Sequence, residues 1–280
     1  MTSQLRATTT SPELMVKELC EDEFKLYQDR IARLQSHFSS SLGDDYFYFD
    51  HGADYFEWFR TLGKLYYFVV LDGDDVVAVA ASTIRQLTSP NGEKSEPFFY
   101  LCDLKVLPSH QGKKLPEKLF TNRFPHHYFK CPRGYAVSLD PADGSDNSVV
   151  RMLDNFPFIP FDLASRIGIV ALDTELMEEV DPILRRHRGP VYYNSLSGIR
   201  DMILHSTGEP LPVLHAQFGP FSQCGHENPV DDHTHMFCAP LDDPLIRDLE
   251  LRGIRPVATA SVIQHRMEGW KWQFLLTSEL

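Results

Sequence analysis

At 280 residues, 42% hydrophobic and 24% charged, the chain has the balance of a soluble globular protein with room for two domains or one enlarged one. A net charge of -12 speaks against a general nucleic-acid binder, which needs a basic face to displace counterions, and permits a cationic partner such as an amine. Five scattered cysteines form no disulfide framework, the opening MTSQLRATTTSPE has no apolar signal core, and no apolar run reaches membrane-spanning length; the expectation is a cytoplasmic protein with no membrane partner.

Residues 1–12 are rich in Thr and Ser and read as disordered. Phe24, Tyr27, Ile31, Leu34 and Phe38 recur at alternating steps of three and four, one face of an amphipathic helix that Ser39 to Gly43 closes. In the next stretch, DDYFYFDHGADYFEWFR, Tyr55, Phe56, Phe59 and Leu62 suit a short second helix. The residues before it, around Tyr46, Tyr48 and His51, read as a loop that either packs its aromatics or faces a substrate. Lys64 to Leu71 and Val76 to Leu87 are β-rich runs joined by Asp72-Gly73-Asp74-Asp75, a hairpin signal because Gly and Asp accept the backbone angles of a tight turn. Ser89 to Glu96 is a second loop.

Phe98 to Val106 is almost wholly apolar, with Asp103 and Lys105 its only charges, as suits a central strand covered on both faces. Pro108 ends the ladder, Ser109 to Lys114 is polar and basic, and Leu115, Leu119 and Phe120 fall on one side of a helix that tolerates Pro116 in its first turn. A strand feeding a loop at a helix N-terminus is an anion cradle, since free N–H groups and the helix dipole point the same way. The run from Val106 through Pro108, Gln111, Gly112 and Lys114 to Pro116 resembles the acyl-CoA-binding motif of the GNAT acyltransferase superfamily. That motif is an apolar strand ending in Val-x-Pro, then Gln or Arg-x-x-Gly-x-Gly or Ala, then a helix. Gln111 and Gly112 match; Lys114 and Pro116 stand where the family usually has small residues.

Pro125 ends or kinks the helix after the loop. Tyr135 to Leu139 is a strand, Asp140 to Asp146 a turn-rich loop, Asn147 to Asn155 a helix carrying Val150 and Leu153 inward, Phe156 to Phe161 a bend, and Arg166 to Leu172 a strand. This is similar to the second part of a GNAT domain, where an Asn-initiated helix ends in Gly-Phe; Phe158 takes the Phe place and Pro157 stands where Gly is usual. The resemblance spans residues 14–172 and implies an α/β (α+β) fold, a mixed central sheet flanked by helices. From 173 to 280 a helix, Thr174 to Arg188, precedes short strand candidates at Val191–Tyr193, Pro212–Phe218, Thr234–Ala239, Arg255–His265 and Trp272–Leu276. His235 to Pro240, an Asp-rich cap, PLIRDLELRG and a β-rich run echo the strand–helix–strand of 135–172. The C-terminal part is therefore either a degenerate second GNAT-like half or an unrelated β-rich extension.

The resemblance implies an acyl-CoA-dependent N-acyltransferase with acetyl-CoA as the expected co-substrate and a small-molecule or peptide amine as acceptor. It assigns the acyl carbonyl and pantetheine to the main chain of Leu104 and Val106, and the pyrophosphate to Gln111, Gly112, Lys113, Lys114 and Leu115. Asn147 joins the cofactor-binding set. The acceptor amine must lose a proton, because only the free amine is nucleophilic, and Asp103 is the candidate base, since an ionisable group on a central strand is either paired or used; a salt bridge or a solvated strand edge is the equal alternative. The family often has a Tyr acid in its last helix. That place falls near Leu153-Asp154, with no Tyr. A GNAT-shaped scaffold that binds acyl-CoA or a protein partner without turnover is thus the second reading. Cys224, His226, His233, His235 and Cys238 form a cluster in sequence, but the spacing matches no zinc motif and no metal is expected. No nucleophile elbow, P-loop or dinucleotide fingerprint occurs.

Overall fold

Among the described residues ten strands form one sheet whose spatial order differs from the order of the chain. The computed structural model describes residues 14–88, 95–122, 131–156, 159–219 and 225–280. The expectations placed on residues 1–12, Pro125, Pro157, Phe158 and Cys224 lie outside these. The first half comprises β1 (Met15–Leu19), α1 (Phe24–Gln35), β2 (Ser40–Leu42), β3 (Asp45–Asp50), α2 (Glu57–Leu62), β4 (Lys64–Asp72), β5 (Asp75–Thr88), β6 (Ser95–Val106), α3 (Leu115–Asn122), β7 (Gly134–Leu139), α4 (Ser148–Asp154) and β8 (Asp162–Leu172). The second comprises α5 (Thr174–Arg188), β9 (Val191–Asn194), β10 (Asp201–Leu204), β11 (Val213–Phe218), β12 (Thr234–Pro240), α6 (Pro244–Glu250) and β13 (Ala258–His265). A tail follows with single-turn helices at Trp272–Phe274 and Thr277–Glu279.

The large sheet runs β1-β4-β5-β6-β7-β13-β8-β12-β11-β9, and a small one runs β10-β3-β2. Each half contains a strand–helix–strand crossover, β7–α4–β8 and β12–α6–β13. Each crossover steps over the final strand of the other half: β13 pairs antiparallel with β7, and β8 pairs antiparallel with β12. The final strands are thus exchanged, and they also pair with each other. The halves share one hydrogen-bonded ladder.

Local sequence explains most elements. Phe24, Tyr27, Ile31 and Leu34 of α1 are all buried, as their spacing requires; Ile31 is fully covered, a burial that contributes about 1.5–3 kcal/mol. Asp173 caps α5 by accepting from the Leu176 N–H at 2.9 Å, and four basic residues close its last turn. Two expectations need correction. Tyr46 and Tyr48 lie on β3 rather than on a loop: the strand alternates, with Phe47 buried beneath the exposed tyrosines. Trp272 to Leu276 is no strand, because its one turn of helix leads a buried tail across the sheet.

Three features of the sheet shape the site. β6 and β7 run parallel for only three residue pairs, Phe99–Gly134, Tyr100–Tyr135 and Leu101–Ala136, and then part. Gly134 permits that approach, since a Cβ there would stand 2.2 Å from the Phe99 ring and 2.3 Å from its carbonyl oxygen. Against β5, β6 carries one extra residue between Cys102 and Lys105, a bulge in which Asp103 takes φ +53°. Asp is among the few non-glycine residues that tolerate this left-handed conformation.

Candidate functional site

Beyond Leu101 the facing edges of β6 and β7 have no partner in each other, and a cavity of about 330 Å³ opens between them. Cys102 to Lys105 and Val137 to Leu139 form its walls, with Val149 and Leu153 of α4. At its inner end the cavity passes under the small sheet and meets His51, Trp58, Arg200, His215 and the tail residues Thr277 and Leu280. Past the end of β6, Gln111 to Lys114 form an exposed loop ahead of α3, with Gly112 at φ +77° and Lys114 at φ +56°. Leu115 is fully buried below it, packed with Phe68, Val70 and Val77, and so fixes the loop to the sheet. Among the described residues, the N–H groups of Gly112, Lys113 and Leu115 have no backbone partner. Lys113 and Lys114 stand beside them, Lys114 only 3.9 Å from Glu117.

The inner end holds a set of buried polar groups. The bulge turns the Asp103 carboxylate, 3% exposed, toward β4 and α2. Oδ2 accepts from the Tyr55 hydroxyl at 3.0 Å and from the Tyr67 hydroxyl, and Oδ1 is paired with Lys105. Burial pushes this carboxyl up, but Lys105, the neighbouring His51 and the hydrogen bonds together hold it below its ordinary value. Burial, and then the Asp103 charge, raise both tyrosines well above theirs. Arg200 lies between the rings of Phe49 and Trp58, 3.7 Å from each centroid, and donates to the main-chain oxygen of Leu280. Burial lowers it to about 10. His51 and His215 are both lowered to about 3, first by burial and then by Arg200. The tail is fastened from below: Trp58 Nε1 donates to the Ser278 oxygen at 2.9 Å, Tyr100 to the Glu279 oxygen at 2.9 Å, and Arg85 pairs with the Glu279 carboxylate in the core.

No protein-family model matches the chain. An uncharacterized protein of Acanthamoeba polyphaga mimivirus is 21% identical over 280 residues, covering 94% of this chain and 79% of that protein. Among solved structures, a probable N-acyltransferase from Enterococcus faecalis covers 94% of this chain and 73% of its own, with 10% identity and a TM-score of 0.44. The tandem GNAT protein from the clavulanic acid biosynthesis pathway covers 90% of this chain and 98% of its own, with 10% identity and a TM-score of 0.50. The fold is GNAT, in two halves.

The GNAT frame brings the sequence-predicted residues to two places. Leu104 lines the cavity, Val106 pairs with Ala78 of β5 further along the same strand, and Gln111 to Leu115 form the segment that follows β6 and leads into α3. Asn147 is elsewhere in function. Its oxygen accepts from the N–H groups of Val149 and Val150, at 3.0 and 3.3 Å, and its amide donates to Leu139 O and Asp140 Oδ1. These bonds fill its capacity, so its place is the cap of α4 rather than a ligand contact. The described members of the Cys/His cluster do not converge. His235 Nε2 accepts from Val230 N at 3.0 Å, His233 bonds the Asp231 oxygen, and the Cys238 thiol donates to Leu275 O. Among the described residues no group of three metal-ligating side chains forms.

Arg200, His215, Tyr67 and the tail carry no sequence signal that ties them to the cleft. They arrive by long-range packing from β4, the residues before β10, β11 and the end of the chain. His51 did have a signal, an aromatic-rich neighbourhood.

Proposed function

We propose that the chain transfers an acyl group from acyl-CoA, with acetyl-CoA as the simplest donor, to a primary amine. The observation that supports this reading is the parting of β6 and β7, which opens a mostly apolar cavity with buried polar groups beside β6, the strand that leads into an exposed loop with unpartnered N–H groups and two lysines. The cleft suits a pantetheine arm: the edge of β6 that faces β7 offers main-chain groups at Leu104 and, further out, at Val106. The loop suits a pyrophosphate, with the charge of Lys113 and Lys114 compensating for the donor that Pro116 lacks. In this reading Asp103 is a fixed negative charge. Its oxygens are already occupied, and its role is to orient Tyr55, Tyr67 and Lys105 and to favour positive charge as the amine attacks.

One observation favours a second reading, a scaffold that binds acyl-CoA without turnover. In α4 Leu153 is buried, Asp154 is exposed, and no hydroxyl stands there to protonate a departing thiolate. Two measurements decide between the readings. Calorimetric titration with CoA at low and at physiological salt should show binding that weakens as salt rises, since exposed charges are screened over about 8 Å at physiological ionic strength. Thiol release from acetyl-CoA should then accelerate when a panel of amines is added. Binding without release supports the scaffold; no binding at low salt removes both readings.

A further inference from the structure

The cavity between β6 and β7 crosses the large sheet. Along β6 the side chains alternate: Phe98 and Tyr100 pack in one core cluster, Phe99 and Leu101 in another on the opposite face. Phe120 of α3 and Leu153 of α4 line the cavity on the second face. Phe47, Trp58, Met202 and Met236 line it on the first, beneath the small sheet. On the reading above, acyl-CoA approaches from the α3 face, because the loop from Gln111 leads into α3. The chamber on the other face is left for the acceptor. Ser39 is exposed and Ser40 to Leu42 are half-buried, and all four line the cavity, so its way out to solvent runs beside β2.

The charge inside this chamber is the reverse of the charge outside. The chain has 39 acidic and 27 basic residues. Yet among the described residues Asp103 is the one acid on the cavity wall, which also carries Lys105 and Arg200. The Asp103 carboxylate already accepts from Tyr55 and Tyr67 and pairs with Lys105. Phe49 and Trp58, two rings that could cage a cation, already hold Arg200. Burial keeps the rings of His51 and His215 uncharged. One carboxylate can answer the charge of one amine. A second or third ammonium brought into this space would lose its water and gain no partner.

We propose that the acceptor is a monoamine with an apolar body, an alkyl- or arylalkylamine, whose hydrocarbon part lies beneath the small sheet while its nitrogen reaches the parted edge of β6. This rests on the acyl-transfer reading above. A single cavity joins Phe47, Phe49 and Met202 to Cys102, Asp103 and Leu104, so one molecule can span both places. The same wall selects against polyamines, aminoglycosides and lysine-rich peptides. Burial beside two cations favours the neutral amine, which is the nucleophilic form, so its proton goes to water as it is enclosed. Free amine and thioester then balance to amide and CoA thiol.

A ladder of acceptors tests this on the native chain. Thiol release from acetyl-CoA is measured with propylamine, butylamine, hexylamine and phenethylamine, and with spermidine and kanamycin. The kcat/KM should rise by up to about fourfold per added methylene, and hexylamine should exceed either polycation by about tenfold or more. A flat ladder, or a polycation that reacts better than hexylamine, overturns the proposal and leaves acyl transfer standing. Decanoyl-CoA that reacts with propylamine about tenfold faster than acetyl-CoA also overturns it, since an acyl chain then fills the chamber. Leu42→Asp, on the edge strand of the small sheet, puts a second carboxylate at the opening. With melting temperature and CoA affinity as controls, it should lower kcat/KM for hexylamine relative to spermidine by about tenfold. An unchanged ratio in a folded variant counts against the proposal in the same way. If CoA binds but no amine releases thiol, the acyl-transfer reading falls, and calorimetry reads the chamber by itself. Hexylamine should then bind the CoA-loaded chain about tenfold more tightly than propylamine, and equal binding overturns the apolar preference as well.

Discussion

The two halves of the sheet repeat one design and differ in what occupies the gap between their parallel strands. β6 and β7 pair at three positions and part after Leu101; β11 and β12 pair at three positions, Val213–Thr234 to His215–Met236, and part likewise. In the first half the gap leads to a cavity, a basic loop and α3. In the second, Tyr193, Phe218, Phe237 and Leu276 pack into one cluster. Arg188 lies 5.6 Å from the Phe218 ring and pairs with Asp243 at 3.0 Å, both side chains buried. The same parting of parallel strands thus borders a cavity of about 330 Å³ in the first half and a packed apolar cluster with one buried ion pair in the second, where a smaller cavity of about 170 Å³ lies at the start of β11.

The broadest way to break this comparison is to separate the halves. Truncation after Leu172 removes β13 from the edge of β7 and β12 from that of β8, so the fragment should lose cooperative unfolding altogether, as followed by circular dichroism; a soluble fragment with a sharp melt would show that the exchanged strands are dispensable. Single buried charges come next. Arg188→Met strands Asp243 and Asp103→Asn strands Lys105, and each should cost about 3–5 kcal/mol in urea unfolding. Of the two, only the Asp103 variant should also change amine-dependent turnover. Equal effects on turnover would mean that the second core is part of the active machinery. A smaller effect is expected at the basic loop. Lys113→Glu with Lys114→Glu should weaken CoA binding by a hundredfold or more, about 3 kcal/mol, and leave the melting temperature in place.

The smallest effect is a titration shared by both halves. His51 and His215 have folded values of about 3, below the ordinary 6.5. The unfolded chain binds their protons first as pH falls, so stability drops from about pH 6.5 downward and continues to drop until the folded values are reached. At pH 5 each costs about 2 kcal/mol. His51→Phe and, separately, His215→Gln should each reduce the difference between urea unfolding at pH 7 and pH 5 by that amount. A difference that does not change would mean the rings are already charged in the folded chain.

Much of this was legible in the sequence because it depends on short-range pattern. The spacing of Phe24 to Leu34 marked α1, Gly73 between acids marked a hairpin, and the Val106–Gly112 run marked the loop at the cleft mouth. Other features depend on partners far along the chain. Nothing near Asp103 announces a bulge, because the extra residue is defined only against β5. The alternation of Phe47 and Phe49 with tyrosines was present, but β10 is needed to turn it into a sheet. Asn147 was placed correctly as a helix opener, while its hydrogen bonds show that a cap has no capacity left for a ligand. The exchange of β8 and β13 left no mark, since either strand suits either slot by hydrophobicity.

That exchange has a consequence for how the chain is made. Asp140, at the end of β7, bonds the Ser261 hydroxyl of β13, 121 residues further on. At about 5–20 residues per second, the ribosome leaves the edge of β7 without its neighbour for roughly 6–24 s. Over that interval an apolar strand edge is exposed to other nascent chains. The half that forms most of the cleft is translated first but is completed only when β13 has been made, so the edge of β7 has to be shielded from other chains until then.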